Sequence, residues 1–378
     1  MSEFRRDFMD FEDKIWLNAA SEGPLPLKAV EALKESIVWK SRPYLLDLPK
    51  FALVPRELKK SIGRLFNVEA KDVILANSAS YGLHILANGM QWQAGDEILV
   101  MQNDFPTDIL PWLALEKKGV KVRQLAANDK VLTPDEFLTN ITERTRLFCI
   151  SQVHTFTGII LEIEKMARIA KDKNIIFVLN VAQSAGGMPV DLSNIPVDAV
   201  VGAGYKWICG PYGTGFAWIH PQLREQLDYN HAYWPVVLNN EDLKSEGPIV
   251  YTEDHSARQF DIFGTANFFN FVPLTTSINY LLDIGIERIW RHNQQLVDRF
   301  ITGLDRGQYQ LVSPEQGAAR SNLVVFSHKD PQQNSSLFKR LSDKGVFTAF
   351  WKNNIRVSPH LYNSSKDIDC ILSLLEKN

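Results

Sequence analysis

From about residue 70 to residue 220, short apolar runs alternate with helix-like patterns. That alternation is the signature of a parallel sheet with helices packed on its faces. The predicted strands cover 72–76, 97–101, 120–125, 145–153, 175–181, 197–201 and 215–219, with helices between them at 81–91, 107–118, 134–141 and 162–173. The third helix has the best-marked start: Thr133 can cap it, Pro134 takes the first helical position and Glu136 completes a capping box. In an open sheet of this kind ligands sit beyond the carboxyl ends of the strands, so the residues just after each strand are the ones to read for chemistry.

After Thr265 the pattern changes to long helices near 273–305, then a strand at 323–327, a helix at 335–344, a short strand at 355–357 and a closing helix at 366–376. At 378 residues the chain exceeds the roughly 250–300 at which one hydrophobic core stops growing. The expected division is a large α/β domain over 21–265 and a smaller α+β domain made from 1–20 and 266–378. The stretch 228–262 is aromatic and polar without a period, and is expected to run as an extended loop over the large domain.

A net charge of −3, with Lys and Arg scattered along the chain, offers no field for nucleic acid or an anionic membrane. No stretch approaches the roughly 18 apolar residues of a membrane span, and the first residues, MSEFRRDFMDFEDK, lack the apolar core of a secretory signal. A cytoplasmic protein is expected. Cys149, Cys209 and Cys370 are too widely spaced for a metal site or a disulfide framework, and read as reduced structural thiols.

Four post-strand segments stand out. Asn77-Ser78-Ala79-Ser80-Tyr81-Gly82 opens a helix and would aim free backbone N–H groups at an anion such as a phosphate. Asn103-Asp104-Phe105-Pro106-Thr107-Asp108 offers Phe105 as a flat face for a planar ring. Leu179-Asn180-Val181-Ala182-Gln183-Ser184 brings two side-chain amides to the crevice. Ala203-Gly204-Tyr205-Lys206-Trp207 sets a lysine among apolar neighbours, where burial of its charge is costly and imine formation with a carbonyl relieves it. The glycines of Gly210-Pro211-Tyr212-Gly213-Thr214-Gly215 are spaced GxxGxG and come too late in the sheet for a dinucleotide fingerprint, which argues against a nicotinamide dehydrogenase.

Together with Trp16-Leu17-Asn18-Ala19-Ala20-Ser21-Glu22-Gly23-Pro24-Leu25-Pro26, Phe105-Pro106-Thr107-Asp108-Ile109-Leu110-Pro111-Trp112, Phe263-Gly264-Thr265 and Ile355-Arg356-Val357-Ser358-Pro359-His360, these segments resemble, in order and over nearly the whole chain, the class V aminotransferase family of fold-type I enzymes dependent on pyridoxal 5′-phosphate (PLP). That family includes cysteine desulfurases, kynureninase and isopenicillin N epimerase-like proteins. The resemblance implies a mostly parallel central sheet with helices on both faces and a smaller α+β C-terminal domain. It also implies PLP as cofactor, an α-amino acid as substrate bound through an external aldimine, and a homodimer.

Position by position, the resemblance makes Lys206 the aldimine lysine, Gln183 the contact to the ring hydroxyl, Phe105 the stacking residue and Thr155 a neighbour of the ring oxygen. Ser78, Ala79 and Tyr205 would form the phosphate cup, with Thr265 reaching over from the partner subunit. Asn18, Ala20 and Arg356 would meet the substrate, Arg356 by clamping its carboxylate. Trp351, Trp234, Tyr233 and His360 hint at a bulky or aromatic pocket.

Two departures shape the expected activity. Asn180 stands where the family carries an Asp that keeps the ring nitrogen protonated, and a neutral amide cannot supply that charge. The stretch 344–355, KGVFTAFWKNNI, holds no cysteine, which argues against desulfuration through a persulfide. Asn180 thus counts against aminotransfer, which is the family's default label, with a Cβ lyase or an epimerase as alternatives, and a weakened PLP-binding protein as a further one; retention of Lys206 and Arg356 speaks against the last.

Overall fold

The computed structural model describes residues 3–238, 244, 246–251, 256–264 and 266–376. Its strands are β1 (Ile15–Trp16), β2 (Val73–Ala76), β3 (Glu97–Met101), β4 (Lys121–Leu125), β5 (Thr145–Ser151), β6 (Ile176–Asn180), β7 (Ala199–Ala203), β8 (Gly215–Ile219), β9 (Tyr309–Leu311), β10 (Val324–His328), β11 (Val346–Phe347), β12 (Ala349–Trp351) and β13 (Asn354–Val357). Its helices are α1 (Leu27–Ser41), α2 (Leu48–Phe66), α3 (Ala79–Gly89), α4 (Leu110–Leu113), α5 (Pro134–Asn140), α6 (Ile163–Asp172), α7 (Pro221–Arg224), α8 (Trp234–Val237), α9 (Phe268–Ile284), α10 (Ile286–Gly303), α11 (Asn334–Asp343) and α12 (Ser365–Glu376), with short 3-10 turns between some of them.

Seven strands form the main sheet in the order β2-β8-β7-β6-β5-β3-β4, with only β8 antiparallel to its neighbours. Period-two alternation sends Leu99 and Met101 of β3 into one buried cluster and Ile98 and Val100 into another, so both faces of the sheet are covered. A third cluster packs α10 and α12 against the antiparallel sheet β12-β13-β10-β9 and takes in Leu17. The N-terminal segment ties into this part of the chain through β1, which pairs in parallel with β11.

All seven predicted strands of the main sheet are present within two residues of the expected ends. The capping box at Thr133 is formed in both directions. The predicted helix at 107–118 instead breaks into a 3-10 turn, α4 and a second 3-10 turn, because Pro106 and Pro111 lack the N–H groups a continuous helix would use. The long helical run after residue 265 is divided at Gly285, whose φ of +91° no helix can contain. Helices α1 and α2, absent from the expectations, pack against α9. Those described parts of 228–262 are irregular apart from α8 and a 3-10 turn at Ala257–Phe260. No described helix is long and apolar enough to cross a membrane.

Candidate active site

β2, β3, β5, β6 and β7 end on one rim of the sheet, and each is followed by a side chain that lines one cleft of about 450 Å³: Ser78, Phe105, Thr155, Gln183 and Lys206. Asn180 ends β6 and also faces this cleft, as do Ala79 and Tyr205. The arrangement follows from topology, since parallel strands deliver their C-terminal ends to the same side.

Lys206 sits in the turn after β7 and is only 8% exposed. Trp207 anchors this turn, fully buried, with its indole N–H donating to Gln183 Oε1 at 3.1 Å. Gly23 packs against it so closely that a Cβ would lie 2.0 Å from the Lys206 carbonyl oxygen. The Lys206 ammonium lies 5.3 Å from the centroid of the Phe105 ring and makes no hydrogen bond or ion pair with a described residue. Burial, helped by the nearby Arg356 charge and opposed by Asp108, pulls its pKa down to about 8. The result is an amine that is easily neutral, held over an aromatic face.

Also lining the cleft, Ser78 precedes α3 and points its hydroxyl at Asn77 Oδ1 (3.0 Å) instead of capping the helix. The first-turn N–H groups of α3, which have no partner within the helix, are thereby left for an anion. Ser78, Ala79 and Ser80 all line the cleft.

Arg356, on β13, is 3% exposed. Its Nη1 donates to Thr155 Oγ1 at 2.9 Å and to the Thr155 carbonyl at 3.3 Å, and its Nη2 to Ser21 Oγ at 2.8 Å and Asn18 Oδ1 at 3.5 Å. Its buried Nε has no partner, and no described carboxylate pairs with the guanidinium. Burial pushes its pKa down to about 10. A surface ion pair is thus ruled out as the reason for this arginine. Thr155 Oγ1 also accepts from Gln183 Nε2 at 2.8 Å, and the same nitrogen donates to the Ala20 carbonyl at 3.1 Å, so Asn18, Ala20, Thr155, Gln183 and Arg356 form one connected wall.

Beneath Asn180 lies a group that the sequence reading passed over. Asn180 Nδ2 donates to Asp108 Oδ1 at 2.8 Å, and Ser151 Oγ lies 2.7 Å from Asp108 Oδ2 and 2.8 Å from Asp104 Oδ1. Burial, together with the Asp104 charge, raises the Asp108 carboxyl to about 7. The signal was present as two acids within five residues after an apolar strand, in the segment noted only for Phe105.

Of the aromatic residues expected to shape the pocket, none lines the cleft. His360 is fully buried, donates from Nε2 to the Trp207 carbonyl (2.9 Å) and is held neutral by burial, its pKa pulled down to about 4; it braces the lysine turn from behind. Trp351 and Trp234 are exposed, and Tyr233 packs on Phe263 while its hydroxyl accepts from Gly264 N. Thr265, expected to reach a partner's phosphate, lies outside the described residues.

The family model for Aminotransferase class-V matches residues 49–371. A protein named "Probable cysteine desulfurase" from Methanothermobacter thermautotrophicus is 29% identical over 303 residues, covering 78% of this chain and 74% of the relative. The isopenicillin N epimerase of Streptomyces clavuligerus is 24% identical over 379 residues, covering 95% and 94%. Among solved structures, the cystine C–S lyase C-DES in complex with its product cysteine persulfide superposes with a TM-score of 0.88 at 20% identity, covering 97% of this chain and 98% of that one. The apo cysteine desulfurase of Thermococcus onnurineus superposes with a TM-score of 0.86 at 22% identity, covering 99% and 97%. These likenesses show the fold, an α/β architecture around a mostly parallel sheet.

Proposed function

Because the chain belongs to the class-V aminotransferase family, whose cofactor is pyridoxal 5′-phosphate, we propose that it is a PLP enzyme acting on an α-amino acid in the cleft between Lys206 and Arg356. The observation that carries this reading is a pair of buried cations, Lys206 lining the cleft and Arg356 bonded to Thr155 of its wall, neither matched by a described carboxylate. A buried charge without a partner is costly, and a lysine bonded to a carbonyl cofactor and an arginine paired with a substrate carboxylate would remove both costs.

The residues present fit the cofactor. Lys206 Nζ would hold it covalently, the α3 N-terminus with Ser78, Ala79 and Tyr205 would take its phosphate, Phe105 would cover its ring, and Thr155 and Gln183 would flank the ring oxygen. Thr265 would complete the phosphate site across a homodimer. The large apolar side chains exposed along α1, α2 and the turn joining them, among them Ile37, Tyr44, Leu48 and Phe51, support such an association. When bound, PLP supplies an electron sink for the substrate's Cα.

The chain's own groups would do the rest. Arg356 would fix the carboxylate and so orient the Cα–H bond, Lys206 Nζ in its neutral form would take that proton, and the Phe105 face would keep water from one side of the cleft. Asn180 favours one outcome among those open to such a site. A weaker sink suits loss of a leaving group from Cβ better than the full aminotransfer cycle, so a Cβ elimination is the proposed reaction. Cysteine as a sulfur carrier is disfavoured: Cys149 and Cys209 are fully buried with their thiols pushed up by burial, Cys370 lies on α12, and none lines the cleft.

Purified protein given a panel of amino acids bearing Cβ leaving groups should release keto acid and ammonia with no keto-acid co-substrate. Keto acid appearing only when an acceptor keto acid is added would establish aminotransfer instead. Appearance of the opposite enantiomer alone would establish epimerisation.

A further inference from the structure

We propose that Asp108, held by Ser151 and Asp104, is a positioning residue that locks the Asn180 carboxamide with a free N–H toward the cleft, so that this chain meets the cofactor's ring nitrogen as an unprotonated acceptor. The proposal rests on the reading that PLP occupies the cleft.

The orientation of the amide follows from its partners. The backbone N–H of Ala182 donates to Asn180 Oδ1 at 2.9 Å, so that atom must be the oxygen, and Nδ2 is the atom 2.8 Å from Asp108 Oδ1. One hydrogen of Nδ2 goes to Asp108. The other has no described partner, although Asn180 is 5% exposed and lines the cleft. A buried donor left unmade is costly, and a ring nitrogen with a lone pair satisfies it, whereas a protonated one would set two N–H groups against each other.

Asp108 is fixed in turn. The Ser151 hydroxyl has a single hydrogen but lies within hydrogen-bond distance of both Asp104 Oδ1 (2.8 Å) and Asp108 Oδ2 (2.7 Å). Asp104 also accepts from the Phe105 and Ser151 backbone N–H groups, at 2.7 and 2.9 Å. Both contacts of Ser151 are satisfied when it donates to Asp104 and accepts from a protonated Asp108. The raised Asp108 carboxyl agrees with this hydrogen count. The chain Asp104–Ser151–Asp108–Asn180 is then fully bonded, with its last N–H directed outward.

The arrangement explains why residue 180 is an amide. A carboxylate there would sit 2.8 Å from Asp108, and two carboxyl groups at that distance cannot both ionise. A single Asn180→Asp substitution therefore creates a shared-proton pair whose one negative charge is divided between residue 180 and Asp108, and the ring meets only part of a counter-charge. The whole counter-charge rests on residue 180 only when Asp108 is replaced by an amide as well, because the pair then has no second acid to share it.

The test is ¹⁵N NMR of the protein loaded with PLP labelled at the ring nitrogen. In the unmodified protein the resonance should fall where unprotonated pyridine falls. Asn180→Asp alone should move it only part of the way upfield, and the exchange Asn180→Asp with Asp108→Asn should move it by the full difference between pyridine and pyridinium. A pyridinium shift in the unmodified protein overturns the proposal, and needs no variant to fold. So does an equal upfield move in the single and the double variant. Failure of the protein to capture the labelled cofactor would show itself before any shift is read, and would overturn the cofactor reading together with this one.

Discussion

Lys206→Ala should remove the covalent, borohydride-fixable attachment of PLP and lower turnover by roughly 10²–10⁴-fold, the range for loss of a positioned proton-transfer group. The substitution takes away the one amine that the fold holds buried over Phe105. Trp207 and His360, which hold the turn from behind, are untouched, so the fold should persist and phosphate-end contacts should still retain some cofactor. Peptide mapping after borohydride reduction checks the assignment. Label on any lysine other than Lys206 would show that the cleft has been misread.

The same amine predicts a pH dependence. With its pKa pulled down to about 8, the neutral, nucleophilic form of Lys206 grows as pH rises towards that value and is nearly complete a unit above it. Capture of PLP by cofactor-stripped protein should therefore accelerate through about pH 8 and level off near about pH 9. A solvated lysine would keep gaining up to roughly pH 10.4, and a rate still climbing well above pH 9 would mean that burial does not depress this group.

The strands and the lysine were legible in the sequence because both are local signals. An apolar run bounded by polar residues marks a strand wherever it packs, and Lys206 stands out by its apolar flanks. Helices α1 and α2 were missed although Asp47 caps α2 through its bond from the Lys50 N–H and Pro49 lies in its first turn; the signals were present, but Pro55 inside the run disguised it. The break in 107–118 was written in Pro111, and a reading that weighted the missing N–H would have found it. His360 and Trp351 were misjudged for another reason. An aromatic residue near a motif can face the cleft, the core or solvent, and only the tertiary structure decides which.

Asn180 shows the limit most clearly. Read along the chain, it is a lost carboxylate, and the obvious repair is Asn180→Asp. Read in space, it is one end of a bonded chain whose acid, Asp108, lies 72 residues away in sequence and 2.8 Å away in the fold. No periodicity or spacing links two such positions, so the reason for the amide could only come from the structure.

Arg356→Ala should weaken binding of an amino-acid substrate at least tenfold while leaving PLP retention nearly unchanged. A hydrogen bond to a charged group contributes roughly 1.5–3 kcal/mol, and about 1.4 kcal/mol is tenfold in affinity. The arginine is well placed for a planar anion: its guanidinium is held from one side by Thr155 and from the other by Ser21, with Nε unpartnered. Arg356→Lys should be nearly as harmful, since a point charge cannot reproduce the two-pronged geometry. The Thr155 hydroxyl would lose one donor but keep Gln183, which limits the damage to the cofactor side of the wall. Comparing an amino acid with its decarboxylated amine isolates the effect: the unmodified protein should prefer the acid and Arg356→Ala should erase most of that preference. Equal weakening of both ligands would mean that Arg356 supports the wall without reading the carboxylate, and the amino-acid assignment would lose its principal physical argument.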